Sequence, residues 1–215
     1  MTNESGLAAA ILAGGQARRL GGVNKGTLAI GDSPIVDRQL EALRQVASTV
    51  FVVGAAAPAW SARRLDVVPD DLPGAGALGG IYTAIQRSPC ARTLVVACDL
   101  PFLSAAFLQR MADERDADLV IPRSARGYEP LCAVYSRACA ADIHARISRG
   151  AFKASVLPRG VRVVELGPDI IATYDPEGLI FVNVNTPHDY ERAKGAIELN
   201  PEQSKDRITT DLRRT

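Results

Sequence analysis

The stretch "LAGGQARRLGGVNKG", residues 12–26, combines five glycines with the cations Arg18, Arg19 and Lys25. Glycines let successive backbone N–H groups close on an anion as a concave nest. Guanidinium and ammonium groups are the usual partners of phosphoryl oxygens. Immediately before the stretch runs Leu7-Ala8-Ala9-Ala10-Ile11, which reads as a strand. The loop therefore opens at a strand's carboxyl end, where α/β sheets bind ligands. Polyphosphate binding is the chemistry these residues suit, set against a plain solvated loop. Two known phosphate loops fail on spacing. G-x-G-x-x-G would need glycine where Gln16 or Ala17 stands, and G-x-x-x-x-G-K-[ST] needs a Gly-Lys pair that the chain lacks.

Histidine chemistry has little material. The chain's two histidines are His144, in an Ala-rich helical run, and His188, just inside an expected helix start. Neither belongs to a nucleophile or zinc motif. The four cysteines, Cys90, Cys98, Cys132 and Cys139, contain no C-x-x-C pair. With no secretory leader pattern beside them, a reducing cytoplasm is the expected location.

The elements that must position the loop alternate. Apolar or β-branched runs at 7–13, 49–53, 93–98, 119–122, 161–166 and 180–184 read as strands covered on both faces. Helical patterns separate them. Ser33 and Pro34 open one as cap and first turn, with an apolar stripe at Ile35, Val36, Leu40, Leu43 and Val46. Others fit 78–88, 104–115, 136–149 and 186–199, the last with Thr186 and Asp189 at capping-box spacing. This alternation predicts an α/β fold: a single-domain, Rossmann-like three-layer sandwich with a mostly parallel central sheet. The domain is expected over 1–199, and the polar run 200–215 reads as a disordered tail.

Composition agrees. The chain has 215 residues, 47% hydrophobic and 23% charged, enough for a substantial core. A net charge of +1 argues against a broad nucleic-acid surface, so any anion recognition must be local. No apolar run approaches the roughly 20 residues that span a bilayer.

Leu12, Ala13, Gly14, Gly15, Arg19, Gly21, Gly22, Lys25 and Gly26 stand in register with the signature L-A-G-G-x-x-x-R-[ML]-G-G-x-x-K-G. The chain thereby resembles the molybdenum cofactor guanylyltransferases, MobA-type enzymes of the nucleotidyltransferase group. "VVPDDLPGAGALGGIYTAI" (67–85), "LVVACDLPFL" (94–103), "YEPLCAVYS" (128–136) and "FVNVNTPHDY" (181–190) resemble further family segments in the same order. Ala77 and Gly79 replace the family's proline and alanine, and Gly54 stands where some members carry asparagine.

The resemblance implies transfer of GMP from GTP to the terminal phosphate of molybdopterin, with release of pyrophosphate. It implies that Arg19 clamps the β/γ-phosphates, that Lys25 holds the α-phosphate, and that main-chain groups of Leu12, Ala13, Gly14 and Gly15 hold base and sugar. Asp99, expected to close its strand, is the implied Mg²⁺ ligand, since hard Mg²⁺ takes one or two carboxylates plus phosphate oxygens and water. Asp70, or Asp71 beside it, matches the nucleotide-contacting aspartate. The loop with Gly76 and Gly80 is expected beside the nucleobase. Asn183 and Asn185, on one face of the expected last strand, would complete the metal or phosphate shell or else form an Asx turn. A small GTP-binding adaptor and chaperones of molybdoenzymes are the partners that the family implies. The rivals are a cytidylyltransferase of the same pathway, whose members read L-A-A-G, and a nucleotide-binding module without turnover.

Overall fold

The computed structural model describes residues 3–14 and 28–199. In chain order the elements are β1 (Asn3–Leu12), β2 (Ala29–Ile30), β3 (Ser33–Pro34), α1 (Ile35–Val46), β4 (Thr49–Val53), α2 (Pro58–Ser61), β5 (Asp66–Val68), α3 (Gly76–Arg87), β6 (Cys90–Ala97) and α4 (Ala105–Ala112). They continue with β7 (Leu119–Ser124), β8 (Gly127–Tyr128), β9 (Cys132–Ser136), α5 (Cys139–Ser148), β10 (Val163–Leu166), α6 (Pro168–Tyr174) and α7 (Pro187–Leu199). The main sheet runs β10-β7-β9-β6-β1-β4-β5, with β8 pairing β7. Pairs β1–β4, β1–β6, β4–β5 and β7–β10 are parallel, whereas β9 runs antiparallel to both β6 and β7.

Strict alternation along the strands divides the core in two. Ala9 and Ile11 of β1, Leu94 and Val96 of β6, and Val52 of β4 face a cluster with α1, α2, α4 and α6. Their neighbours Ala8, Ala10, Leu12, Val95, Phe51 and Val53 face α3 and α5. Period-2 burial on both faces is what a covered sheet requires. The small residues Ala8, Ala9 and Ala10, all fully buried, let both helical layers approach β1 closely. The expected three-layer α/β architecture is observed. Among the described residues no helix is long and apolar enough to cross a membrane.

Several expected boundaries move. The helix after β3 begins at Ile35 with Pro34 in the cap position and no side-chain cap. Ser33 instead pairs with Ile30 in the β2–β3 ribbon. Helix α3 starts at Gly76, two residues before the expected Leu78, and α5 starts at Cys139 because Cys132–Ser136 is strand β9. The largest correction is 180–184, which is not a strand. Both edges of β6 are already occupied, by β1 and by the inserted β9, so this segment finds no free ladder beside Asp99. It crosses the carboxyl end of the sheet, where Val184 N–H donates to Asp99 O at 3.0 Å. Side chains anchor it: Ile180 and Phe181 enter the main core, and Val184 packs with Ile30, Ile35, Phe102 and Ala193.

Helix α7 opens with the expected capping box. Asp189 N–H donates to Thr186 Oγ1 at 3.1 Å, and Thr186 N–H donates back to Asp189 Oδ2 at 2.9 Å. Cys90, Cys98, Cys132 and Cys139 are all free thiols. The expected tail at 200–215 lies outside the described residues.

Candidate functional site

The expected site residues that the structure describes gather at the carboxyl ends of parallel strands. Leu12, Ala13 and Gly14 end β1, Asp99 follows β6, and Asp70 follows β5. Gly15, Arg18, Arg19 and Lys25 lie outside the described residues. Beyond β1 the main chain is still committed to the sheet. Ala13 N–H donates to Val53 O at 2.9 Å, and Leu12 O accepts from Cys98 N–H at 3.1 Å. A main-chain donor for a ligand can therefore first come at Gly14. Leu12 points its side chain into the layer below, where a Cβ on Gly80 would sit 3.1 Å from Leu12 Cδ1. Gly80 thus serves close packing of α3 on β1.

Asp70 and Asp71 separate clearly. Asp70 Oδ1 accepts from Leu72 N–H at 3.0 Å and from the buried Thr83 hydroxyl at 2.9 Å, which folds the 70–75 loop against α3. Asp71 turns outward into a two-point pair with Arg87, with Nη2–Oδ1 at 2.6 Å and Nε–Oδ2 at 3.0 Å. The Asp70 side chain is thus spent within the loop, and the Asp71 side chain on a surface ion pair. That loop reaches α3 through Gly74 and Gly76, at φ of +96° and +60°, which glycine adopts at least cost. Gly79 explains the departure from the family's alanine: a Cβ there would meet Leu72 O at 2.8 Å. Gly54 behaves similarly. Its N–H is spent on Val68 O at 2.9 Å, and a Cβ would meet the Ala13 carbonyl group at 3.1 Å.

Strand β6 ends at Ala97, so Asp99 sits in the turn beyond it rather than closing the strand. The turn is nonetheless held from several sides. Besides Cys98 N–H and Asp99 O, the side chain of Gln39 reaches it from α1, with Nε2 donating to Ala97 O at 2.7 Å and Leu100 O at 3.0 Å. Gln39 was not among the expected residues. A signal was available, because residue 39 lies one turn from Val36 and from Leu43 and so falls on the buried stripe of α1. Asn183 is exposed and Asn185 half-buried, flanking the fully buried Val184. Phe181 O receives the Arg126 guanidinium at 2.6 Å, a second contact that composition did not disclose.

Burial pushes the Cys132 and Cys139 thiols up to about 12. Among the described residues no group of three or more His, Cys, Asp or Glu side chains could hold a metal ion. A separate cleft of about 360 Å³, lined by Asp37, Leu40, Glu41, Arg44, Arg63 and Arg64, contains none of the expected residues.

The family model of the MobA-like NTP transferase domain matches residues 9–163. The chain belongs to this family. Membership bears out the family read from the ordered motifs, and a member of it is a nucleotidyltransferase. Similar proteins include the molybdenum cofactor guanylyltransferase of Desulfosudis oleivorans, 30% identical over 190 residues that cover 87% of this chain and 94% of that one. The probable molybdenum cofactor guanylyltransferase of Pelotomaculum thermopropionicum is 32% identical over 185 residues, 86% and 90% of the two chains. Among solved structures, molybdopterin-guanine dinucleotide biosynthesis protein A from Archaeoglobus fulgidus superposes with a TM-score of 0.73 at 26% identity, covering 89% of this chain and 99% of that one. The family match ends at Val163, so Asn183 and Asn185 fall beyond it.

Proposed function

We propose that this MobA-like chain transfers GMP from GTP to the terminal phosphate of molybdopterin, releasing pyrophosphate and forming the guanine dinucleotide cofactor. One observation carries the reading: in a member of this family, Gly14, the 70–75 loop and the Asp99 turn lie beyond the carboxyl ends of β1, β5 and β6 in one sheet. In open α/β sheets that is where ligands bind.

The chemistry asks for positioning and charge neutralisation. A phosphate oxygen of molybdopterin forms a bond to the α-phosphorus of GTP as the bond to the α–β bridging oxygen breaks, and pyrophosphate leaves with that electron pair. Arg19 holds the β/γ-phosphates, on which negative charge builds as pyrophosphate departs, and Lys25 holds the α-phosphate at which the bonds form and break. Gly14 offers backbone to base and sugar, and the 70–75 loop with the start of α3 borders the base. Asp99 suits Mg²⁺, which accepts one carboxylate when phosphate oxygens and water complete its shell. Bound there, the cation would draw charge from the triphosphate oxygens. Asn183 and Asn185 contribute amides to the same phosphate or metal shell.

The test is incubation of the chain with molybdopterin, Mg²⁺ and each of the four NTPs, scoring pyrophosphate and the dinucleotide product. Consumption of GTP above the others supports the reading. Consumption of CTP would make the chain a cytidylyltransferase of the same pathway, and binding without turnover would make it a regulatory module.

A further inference from the structure

We propose that Gln39 is a positioning residue that holds the Asp99 turn in its binding geometry and thereby sets the affinity for the metal complex of GTP. The proposal rests on the reading of Asp99 as the metal-binding carboxylate.

Gln39 has no exposed surface, although it lies in an amphipathic helix whose other buried positions are apolar or small. Its amide nitrogen bonds Ala97 O at 2.7 Å and Leu100 O at 3.0 Å. These carbonyls bracket Cys98 and Asp99, so a single side-chain group spans the turn and fixes its width. Both partners are acceptors, which leaves the orientation of the amide no freedom: nitrogen must face the turn. The oxygen then faces away, and Gln39 Oε1 is buried with no hydrogen-bond partner. An unpaired buried carbonyl is costly. Leucine would occupy similar volume without that cost, so packing alone is a poor reason for glutamine here. The two bonds to the turn are what the side chain adds.

Main-chain bonds hold the same turn from other directions. Cys98 N–H joins the turn to β1 through Leu12 O, and Asp99 O joins it to the crossing segment through Val184 N–H. Gln39 ties it to the helical layer on the other side of β6, on both flanks at once. A turn fixed before the ligand arrives need not be ordered by it, which preserves binding free energy. Loss of Gln39 should therefore appear in binding that passes through Asp99, and not in binding of the base or sugar.

The experiment compares Gln39→Met, Asp99→Asn and the double variant, with Gln39→Leu as a second replacement. GTP affinity is measured by calorimetry with Mg²⁺ and again with EDTA. The expected result is about tenfold weaker binding of Mg²⁺–GTP in Gln39→Met, unchanged binding in EDTA, and no further loss when the change is added to Asp99→Asn. Equal weakening with and without metal, or full additivity with Asp99→Asn, overturns the role of Gln39 while the reading of Asp99 stands. An Asp99→Asn variant with unaltered metal-dependent binding sinks both. Should the Gln39 variants not fold, the wild-type chain decides: its Gln39 side-chain amide resonances shift on adding GTP with Mg²⁺ more than with GTP in EDTA. Identical shifts under the two conditions overturn the proposal.

Discussion

Asp99 stands on a turn whose main chain is held from β1, from Val184 and from Gln39. Asp99→Asn keeps the shape and hydrogen-bonding capacity of the side chain and removes its anionic charge. Melting temperature should change little, while pyrophosphate release falls by about 10²–10³ and its Mg²⁺ dependence weakens. Near-normal turnover with early unfolding would make Asp99 a structural residue. On the glycine-rich loop, Lys25→Ala should lose a contact that strengthens as charge shifts, again costing about 10²–10³ in rate. Arg18→Ala should cost far less than Arg19→Ala, because the family signature carries an arginine at 19 and leaves 18 open. Equal losses in the two arginine variants would reverse that assignment.

Elements carry their own consequences. Alanine at position 79 would ordinarily favour helix α3 by about 1 kcal/mol over glycine. Here the added methyl would meet Leu72 O at 2.8 Å and Ala75 Cβ at 3.0 Å, and overpacking against backbone costs about 1–3 kcal/mol. Gly79→Ala should therefore destabilise the chain in thermal unfolding and raise the KM for GTP, because the 70–75 loop must move. A stabilised variant with unchanged KM would show that the loop yields freely. At α7, the Thr186 hydroxyl and then the main-chain N–H groups of Asn185 and Thr186 hold the Asp189 carboxyl below its ordinary value of 3.8. A depressed carboxyl contributes stability above its unfolded value and loses it as pH falls through the folded one. Unfolding free energies of wild type and Asp189→Ala should thus differ at neutral pH and converge below about pH 4. Parallel curves down to strongly acidic pH would remove the capping box from the account. Because α7 packs Ala193 on Val184, loosening it should also loosen the segment with Asn183 and Asn185.

At the scale of the whole molecule, base choice is the outcome that layers and loops produce together. Gly15 and the 74–80 segment resemble the guanylyl branch of the family. GTP should be used at least about tenfold better than CTP, a difference of about 1.4 kcal/mol. Competition between the two nucleotides in one reaction, scored by product mass, measures this directly. Equal use would place the chain with the cytidylyltransferases and shift attention to the loop beside the base.

Periodicity and ordered motifs were enough to read the covered sheet, the helices between its strands and the family. Each depends on residues near in sequence: apolar runs that need covering on both faces, glycines and cations at strand ends, Thr186 and Asp189 at capping distance. What the sequence alone did not determine was which neighbours had already claimed a group or an edge. The run 180–184 has strand composition, yet β9 fills the edge it would have used. Asp70 and Asp71 are indistinguishable by type, and Thr83 and Arg87, a helix away, divide them between the loop and the surface. Gly54 has a backbone donor, but β5 takes it. Gln39 reads as one polar position in α1 until the turn after β6 is brought within 3.0 Å of its amide. Hydrogen-bonding capacity is a property of the residue, whereas its use depends on partners far along the chain, and only the tertiary structure assigns those.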